Sequence, residues 1–400
     1  MRLIGAASTV LILALMIGIR DSNSAASVSQ LDGREIFRFD TFGDEQLWTD
    51  TLRLHEAIET VTPATALAVG LKVDAEALPP PVIKALMSRQ LDVNDPKITR
   101  RLLEMNAVVG LVAKVTDDRI RSIGITCALC HSTVDDSLAP GIGRRLDGWP
   151  NLDLDVGTIV ALAPGFPDRF REEFRRWGPG KYDPRHHVFD GTNIIELHPG
   201  DASVPVVIPP AYGLDGVGFE TFTGDGPISY WNSYVGVTQM GGHGSFRDDR
   251  IGVSVTQKPD LVTPKLAPLL AYQLSLPAPP PPAGSFDAAG AARGQVVFNG
   301  VGRCGSCHIS PTYTDVQLGG PDNPFLHSPT EVGADPRYAE RSATRAYRTT
   351  PLRALWQHPP YFHDGSATTL LAVVNHYDAV LSLGLTDDQK RDLVEFLKSL

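Results

Sequence analysis

The 400-residue sequence predicts a mainly α-helical fold of two unequal domains, the N-terminal one enlarged by irregular loops. Two observations predict this organisation. The pattern Cys-x-x-Cys-His occurs twice, at 127–131 and at 304–308. Between the two copies, five of the six residues at 277–282 are proline, which cannot continue a helix and forms a stiff, extended connector. Each side of this connector therefore carries one copy of the pattern.

Each copy has the groups that covalent haem attachment requires. Two cysteines one helical turn apart lie on one face, where both can bond to the haem vinyl groups. The histidine that follows supplies the proximal ligand to the iron. The attachment residues are then Cys127, Cys130, Cys304 and Cys307, and the proximal ligands are His131 and His308.

A structural zinc site built from two Cys-x-x-Cys knuckles is the alternative. It does not explain why a histidine follows both knuckles, or why 176 residues separate Cys127 from Cys304. The sequence therefore predicts two covalently bound haem c groups, held in two cytochrome c-like haem domains.

Residues 1–26 have the pattern of an export signal. Arg2 gives a positive start, Leu3 to Ile19 are apolar or small, and Ser24-Ala25-Ala26 fits a small-x-small cleavage site. An uncleaved anchor is the alternative, since about 17 apolar residues reach the lower limit for spanning a bilayer. We predict a cleaved signal, no membrane span after cleavage, and a periplasmic or otherwise extracytoplasmic location, where haem is attached to such motifs.

Charge and cysteine usage add two expectations. The net charge of −10 argues against nucleic acid as a partner and suits a small, basic redox protein as electron donor or acceptor. The two motifs use all four cysteines, so no disulfide is expected. A chain of this length can bury a sufficient core without one.

The N-terminal haem domain is predicted at 27–276. Ile98 to Val115 contain no proline and follow Asp95-Pro96, which predicts a helix ahead of the first motif. Beyond that motif, glycine- and proline-rich stretches predict irregular loops with a short strand at Val206 to Ile208. A helix that includes Leu266 to Leu274 is predicted to end the domain.

The connector, taken as 277–284, leads to a C-terminal cytochrome c domain at 285–400. Phe286 to Phe298 predict a first helix, which resembles that of small cytochrome c domains, where an aromatic residue near its end packs on the last helix. Leu370 to Tyr377 predict another helix. Thr386 and Gln389 form a capping box for the last helix, whose apolar stripe is Leu393, Val394, Leu397 and Leu400.

Segments after the second motif resemble the di-haem cytochrome c peroxidase and MauG superfamily. Its members carry Thr-Pro-x-Leu-Arg and then Pro-Tyr-x-His-Asp-Gly; the similar runs here are 347–353, which lacks the x residue, and 360–366. Tyr230-Trp231-Asn232 resembles the family's aromatic-Trp-Asp-Gly. The chain is also similar to uncharacterised extracytoplasmic di-haem proteins and, more distantly, to rubber oxygenases.

The resemblance implies roles for two residues. His363 stands where the family has its motif histidine near the second haem, which implies a structural and electronic role beside a haem propionate. Trp231 stands where the family has the tryptophan between the haems, which implies an electron bridge. A plain core tryptophan is the alternative for Trp231.

The sixth ligand of the C-terminal haem has two candidates. Peroxidases place a methionine about fourteen residues after the motif histidine and MauG a tyrosine; here that position is Tyr377. Its neighbour His376 competes, because a neutral imidazole is a better iron ligand near neutral pH than a phenol. The two side chains point about 100° apart on a helix, so only one can face the iron. We favour His376, with Tyr377 as the alternative.

The reactivity of the N-terminal haem depends on its own sixth site. Residues 132–185 contain no histidine, and His186-His187 follow in a polar segment predicted to be solvated. We therefore expect an open or exchangeable iron face, as in MauG-type proteins. The family's catalytic Glu-Met pair corresponds to Gln239-Met240, and glutamine can hydrogen-bond peroxide but cannot transfer a proton. His243 is the candidate substitute.

The sequence thus predicts an extracytoplasmic di-haem redox protein that transfers electrons between its haems, whose N-terminal haem reacts with hydrogen peroxide or dioxygen as in a cytochrome-c peroxidase. One alternative is a pure electron carrier with two six-coordinate haems. Another is an oxygenase of an apolar substrate, as in rubber oxygenases. The family commonly holds calcium between the haems, but no ligand set for it can be aligned here.

Overall fold

The structure, a computed structural model, describes residues 32–320 and 322–400. The predicted signal at 1–26 lies outside these residues. Helix accounts for 39% and strand for 13%, so the predicted mainly α-helical class is confirmed. Within the described ranges, no helix combines the length and apolar character needed to cross a membrane.

The first 276 residues contain short helices separated by long connections. The α-helices of this part are 32–39 (α1), Leu54–Ile58 (α2), Pro63–Ala68 (α3), Pro80–Met87 (α4), Pro96–Glu104 (α5), Ala128–His131 (α6), Val156–Ala161 (α7), Asp168–Arg175 (α8), Ile228–Thr238 (α9) and Leu266–Ser275 (α10). A π-helix spans Gln46–Thr51, and single 3₁₀ turns lie at Ala75–Ala77, Asp249–Ile251 and Thr263–Lys265.

Small two-stranded sheets fill the same part of the chain. Their strands are Val73–Asp74 (β1), Leu111–Thr116 (β2), Arg119–Ile125 (β3), Ser132–Val134 (β4), Ile142–Gly143 (β5), Arg145–Asp147 (β6), Lys181–Tyr182 (β7), His187–Phe189 (β8), Ile194–Glu196 (β9), Val206–Val207 (β10), Ser245–Asp248 (β11) and Val253–Thr256 (β12). The pairs are β1–β5, which is parallel, and the antiparallel β2–β3, β4–β6, β7–β10, β8–β9 and β11–β12. The short strand predicted at 206–208 is confirmed as β10, which pairs with β7.

The helix predicted from Ile98 to Val115 is wrong in its second half. Helix α5 ends at Glu104, and the chain turns through Asn106 and Gly110, both with positive φ, into the β2–β3 hairpin. The segment after the turn is rich in valine, and β-branched side chains favour a half-buried strand. The absence of proline between Ile98 and Val115 therefore does not distinguish the helix in the first half of this segment from the strand in its second half.

The last 113 residues form a simpler helical unit. Its helices are Ala288–Asn299 (α11), Pro329–Val332 (α12), Pro336–Glu340 (α13), Leu370–Val380 (α14) and Asp387–Ser399 (α15), with 3₁₀ turns at Cys304–Ser306 and Val316–Gly319. The predicted capping box of Thr386 and Gln389 is confirmed at the start of α15. Helices α11 and α15 cross closely at Gly294, where an added Cβ would lie 2.0 Å from the carbonyl oxygen of Asp392.

Two larger apolar clusters lie before the proline-rich connector and one lies after it. Residues 276–287 contain neither helix nor strand. The domain boundaries remain a prediction, because the two sides also contact each other. The backbone amide of Val207 donates to the carbonyl of His363 at 2.7 Å, and Lys181 Nζ donates to the carbonyl of Asp364 at 2.7 Å. A small cluster of Val204 and Val206 with Tyr338, Ala339 and Tyr347 covers this junction.

Candidate haem sites

The first Cys-x-x-Cys-His motif borders a cavity. Cys127 precedes the single helical turn α6, and Cys130 and His131 end it, so all three side chains face a cavity of about 360 Å³. His131 Nδ1 lies 3.0 Å from the carbonyl oxygen of Pro209. A carbonyl can only accept, so Nδ1 carries the proton and Nε2 keeps its lone pair. Burial lowers the pKa of His131 to about 4, which keeps the ring neutral and able to bind a metal.

The second motif has the same hydrogen-bond arrangement on a different local structure. Cys304 begins a 3₁₀ turn that ends at Ser306, and Cys307 and His308 follow it. His308 Nδ1 lies 3.0 Å from the carbonyl oxygen of Tyr313. Burial lowers the pKa of His308 below its ordinary value, so this ring is neutral as well. In metal-binding histidines the other ring nitrogen is usually fixed in this way.

The structure argues against the zinc alternative. A shared zinc site would bring the cysteines of both motifs together. Across residues 32–320 and 322–400, no potential metal-binding group contains cysteines of both motifs. The cavity at Cys127 and Cys130 also has neither Cys304 nor Cys307 in its wall, as far as the described residues go.

The first cavity suits a haem in a second respect. Arg348 lines it, donates from Nη1 to the carbonyl of Phe219 at 3.0 Å, and has no partner for Nε among the described residues. Burial lowers the pKa of Arg348 to about 10, although Glu220 opposes that shift. A buried arginine with a free nitrogen at a cavity wall is suited to a carboxylate. A haem propionate supplies such a group, so the residues present fit haem c.

Trp231 lies on α9 and lines the same cavity. Its ring is 5.4 Å from that of Tyr234, and the guanidinium of Arg185 is 5.4 Å from its centroid. Arg185 is 1% exposed and forms an ion pair with Asp225 at 2.5 Å. The tryptophan predicted as an electron bridge therefore borders the first motif's cavity with a buried cation against its face.

Gln239 also lines the cavity, and its amide group is held in place. Its Nε2 lies 3.2 Å from the carbonyl oxygen of Pro184 and 3.1 Å from that of His187. His243 is not in the described cavity wall; its Nε2 lies 2.6 Å from Gln46 Oε1. Gln239 therefore lines the same cavity as the first motif, whereas His243 contacts Gln46 at the start of the π-helix.

The expectation that His186 and His187 are solvated is wrong. His186 is 0% exposed and His187 is 1% exposed. His187 begins β8 and lines the haem cavity, with its ring 4.6 Å from that of Phe170 and 5.1 Å from that of Phe174. Burial, followed by the neighbouring His186, lowers the pKa of His187 to about 3. The apolar Val188 and Phe189 were the sequence signal for a buried strand here.

His363 is buried at the junction between the two parts of the chain. Its Nε2 lies 3.1 Å from the Tyr347 hydroxyl, and its ring stacks on Tyr338 with centroids 6.0 Å apart. Burial lowers its pKa. These contacts join two of the family-like runs, since Tyr347 begins the first and His363 lies in the second.

The two candidate ligands on α14 face different neighbours. His376 Nε2 donates to the carbonyl of Val332 at 2.9 Å, so its outermost nitrogen is occupied. Burial raises the pKa of Tyr377 to about 12, and the nearby Cys307 and Cys304 contribute to that rise. The cysteines of the second motif therefore act on the phenol of Tyr377, whereas the ring of His376 is held by Val332.

Besides that of His186 and His187, the burial of His327 beside the second motif was not predicted from the sequence. His327 is 5% exposed, with Nε2 at 2.9 Å from Asp315 Oδ2 and Nδ1 at 2.9 Å from Glu331 Oε1. Both nitrogens donate to carboxylates, so the ring is an imidazolium. Only the i,i+4 spacing from His327 to Glu331 could have suggested it from the sequence.

Curated relatives match part of the chain. Cytochrome-c peroxidase IdrP2 of Denitromonas iodatirespirans is 28% identical over 140 residues, covering 27% of this chain and 38% of that protein. The methylamine utilization protein MauG of Methylorubrum extorquens is 32% identical over 126 residues, covering 28% of this chain and 35% of that protein. Each match thus spans well under half of the relative. No protein-family profile matches the sequence.

Two solved structures are similar over more of the chain. Hydrazine synthase of Kuenenia stuttgartiensis has 20% identity and a TM-score of 0.32, covering 58% of this chain and 79% of that chain. A MauG-like protein associated with microbial copper homeostasis has 16% identity and a TM-score of 0.37, covering 59% of this chain and 89% of that chain.

The curated matches support a redox protein as the general class. They also support the resemblance to the superfamily of MauG and the di-haem cytochrome c peroxidases.

Proposed function

We propose that this protein is an extracytoplasmic di-haem c-type redox protein that transfers electrons between two covalently attached haems. Cys127 and Cys130 would hold one haem with His131 below it, and the second motif would hold the other with His308. When bound, the haems supply one-electron chemistry and, at an open iron face, reaction with peroxide or dioxygen. The observation that carries the proposal is the shared geometry of His131 and His308, each with Nδ1 fixed by a backbone carbonyl.

The first cavity is the proposed place for reaction with hydrogen peroxide or dioxygen. Gln239 borders it, but this side chain offers an amide that is already directed at two carbonyl oxygens. It cannot transfer a proton, and a positioned acid–base group is typically worth 10²–10⁴-fold, roughly, in rate. We therefore propose a slow reaction with peroxide, and electron exchange with a small redox protein as the main role.

For the second haem we propose Tyr377 as the sixth ligand. Its neighbour His376 donates from Nε2 to the carbonyl of Val332, whereas Cys307 and Cys304 contribute to the raised pKa of Tyr377. The same position holds a tyrosine in the MauG pattern. A phenolate ligand would stabilise the oxidised iron and give this haem a low potential.

A pure electron carrier is the second candidate, and one observation favours it. It would need a sixth ligand at the first haem, and His187 is a buried, neutral imidazole in the wall of that cavity. The carrier and the peroxide-reactive protein therefore differ in whether the first haem has an exchangeable site.

Electron paramagnetic resonance of the mature ferric protein separates the two candidates. The peroxide-reactive protein should show one high-spin haem, bind carbon monoxide at one haem when reduced, and lose the high-spin signal slowly when peroxide is added. Gln239→Leu should alter the peroxide-induced change while His243→Leu, outside the described cavity wall, leaves it intact. Two low-spin haems that are inert to both reagents would establish the carrier instead.

A further inference from the structure

We propose that Glu173, His186 and His187 bind a divalent transition-metal ion, in a site separate from both haems at the wall of the first cavity. The proposal does not rest on the function proposed above. Glu173 lies on α8, His186 precedes β8 and His187 begins it. Glu196, at the end of β9, is paired in register with His187. One helix and one hairpin thus converge on this cluster.

The separations between ligand atoms fit one small ion. His186 Nε2 lies 3.9 Å from Glu173 Oε1, and His187 Nδ1 lies 3.9 Å from the same oxygen. Glu196 Oε1 lies 3.3 Å from His186 Nε2, but among the described residues the atoms of this cluster that all lie within 4.8 Å of one another belong to Glu173, His186 and His187 only. In a tetrahedral site with bonds of about 2.0–2.1 Å, neighbouring ligand atoms lie about 3.4 Å apart. The two separations of 3.9 Å exceed this spacing by about 0.5 Å, so the side chains would have to close around an ion.

Unpartnered atoms point independently to a missing ligand. His187 is 1% exposed, and neither Nδ1 nor Nε2 has a hydrogen-bond partner in the described part of the chain. The buried Oε1 of Glu173 has none there either. Buried polar atoms are nearly always paired, so an unpaired group in a native structure calls for an ion or a water.

The local charge favours a cation. Within the described ranges, neither Glu173 nor Glu196 forms an ion pair with a lysine or arginine. Arg341 is the nearby cation, with Nη1 at 3.4 Å from His186 Nδ1, but it also contacts Asp183 at 3.5 Å and Asp201 at 3.6 Å. A divalent ion would therefore neutralise carboxylates that no lysine or arginine pairs with in the described part of the chain.

The donor set selects the class of metal. Two imidazoles with one or two carboxylates suit zinc, copper or ferrous iron, whereas calcium and magnesium prefer oxygen ligands alone. The other potential metal group of the described chain, Cys307 with Asp315 and His327, contains a cysteine that the second haem motif uses. Of these two groups in the described residues, the Glu173 cluster is the one that contains no residue of a Cys-x-x-Cys-His motif.

The test is zinc binding by the mature haem-containing protein after chelator treatment and dialysis. Isothermal titration with zinc chloride should show one tight site per chain. Glu173→Gln, which keeps the side-chain shape, should weaken binding on the order of 100-fold. Glu172→Gln is the matched control. Glu172 is the neighbour of Glu173 on α8, but its side chain is exposed and pairs with Arg176. Cobalt substituted into the site should give the visible spectrum of a tetrahedral ion with two imidazole ligands.

Each remaining outcome is decisive. Zinc should raise the melting temperature of the wild type and of Glu172→Gln but not that of Glu173→Gln. Because each variant is compared with and without zinc, the result holds even if Glu173→Gln is less stable than the wild type. Absence of a tight site for zinc, cobalt and copper would overturn the proposal. So would a His187→Ala variant that binds zinc normally but changes the spin state of the first haem, since His187 would then belong to the haem.

Discussion

His131 and His308 lie 177 positions apart in the sequence, yet each presents Nδ1 to a backbone carbonyl oxygen at 3.0 Å. One motif forms an α-helical turn and the other a 3₁₀ turn, so the similarity is not imposed by local conformation. In both, the proton is fixed on Nδ1 and Nε2 is left for a metal. This common geometry supports the proposal of two haem sites.

The first prediction concerns haem content. Mature protein should retain two covalent haems per chain after acid-acetone extraction, measured as intact mass. The double substitution Cys127→Ala with Cys130→Ala should remove one haem mass, and the equivalent change at Cys304 and Cys307 should remove the other. His131→Gly should leave its haem attached and alter the spin state, because only the iron ligand is lost. Zinc in place of iron, or one haem alone, would contradict the prediction.

The second prediction concerns the ligand on α14. Tyr377→Phe should convert the second haem to high spin, because the phenol beside Cys304 and Cys307 is lost. His376→Gln should leave it low spin and lose only the hydrogen bond to Val332, which typically contributes about 0.5–1.5 kcal/mol. Optical and resonance Raman spectra of the ferric protein report the spin state. The reverse result would assign the ligand to His376.

The third prediction is a pH dependence at His327. The hydrogen bond to Asp315, together with that to Glu331, raises the pKa of His327 well above its ordinary 6.5. A raised histidine pKa stabilises the fold fully below the unfolded pKa, and this stabilisation is lost as pH rises towards the folded pKa. His327→Gln should therefore lower the free energy of unfolding more at about pH 6 than at about pH 9. Urea denaturation at both pH values measures this; an equal loss would show that the ring is not charged.

The fourth prediction concerns the cation beside Trp231. Burial alone would lower the pKa of Arg185, but Tyr338 and Asp225 raise that pKa well above its ordinary value. Arg185→Met would leave Asp225 and Glu220 buried without their cation, which costs about 3–5 kcal/mol. Arg176→Met, at the exposed i,i+4 pair with Glu172, should change stability by only about 0–1 kcal/mol. Similar losses for the two variants, in urea unfolding, would refute the buried ion pair.

The haem motifs, the last helix and the family resemblance could be read from the sequence because their signals are local. The capping box at Thr386 needs only a spacing of three residues, and Cys-x-x-Cys-His needs only five. The valine-rich strand β2 was mistaken for helix because its pairing with β3 depends on the positive φ of Asn106 and Gly110, which proline content does not report.

Burial of charged and polar groups could not be predicted, because it depends on distant partners. His186 and His187 look like a solvated loop in the sequence, but α8 and β9 cover them with Glu173, Phe170 and Glu196. The hydrogen bond from His376 to Val332, 44 positions away, likewise depends on a distant partner that no local pattern indicates.

The junction at Val207 and His363 means that the two halves are not interchangeable modules. Tyr361 and Phe362, beyond the proline-rich connector, form part of the wall of the cavity at Cys127. A chain cut at that connector would therefore expose Val204 and Val206 and open the cavity at Cys127 to water. We expect each half to need the other for a closed, apolar cavity, so the proposed redox function would belong to the chain as a whole, although its sequence has the pattern of two cytochromes in series.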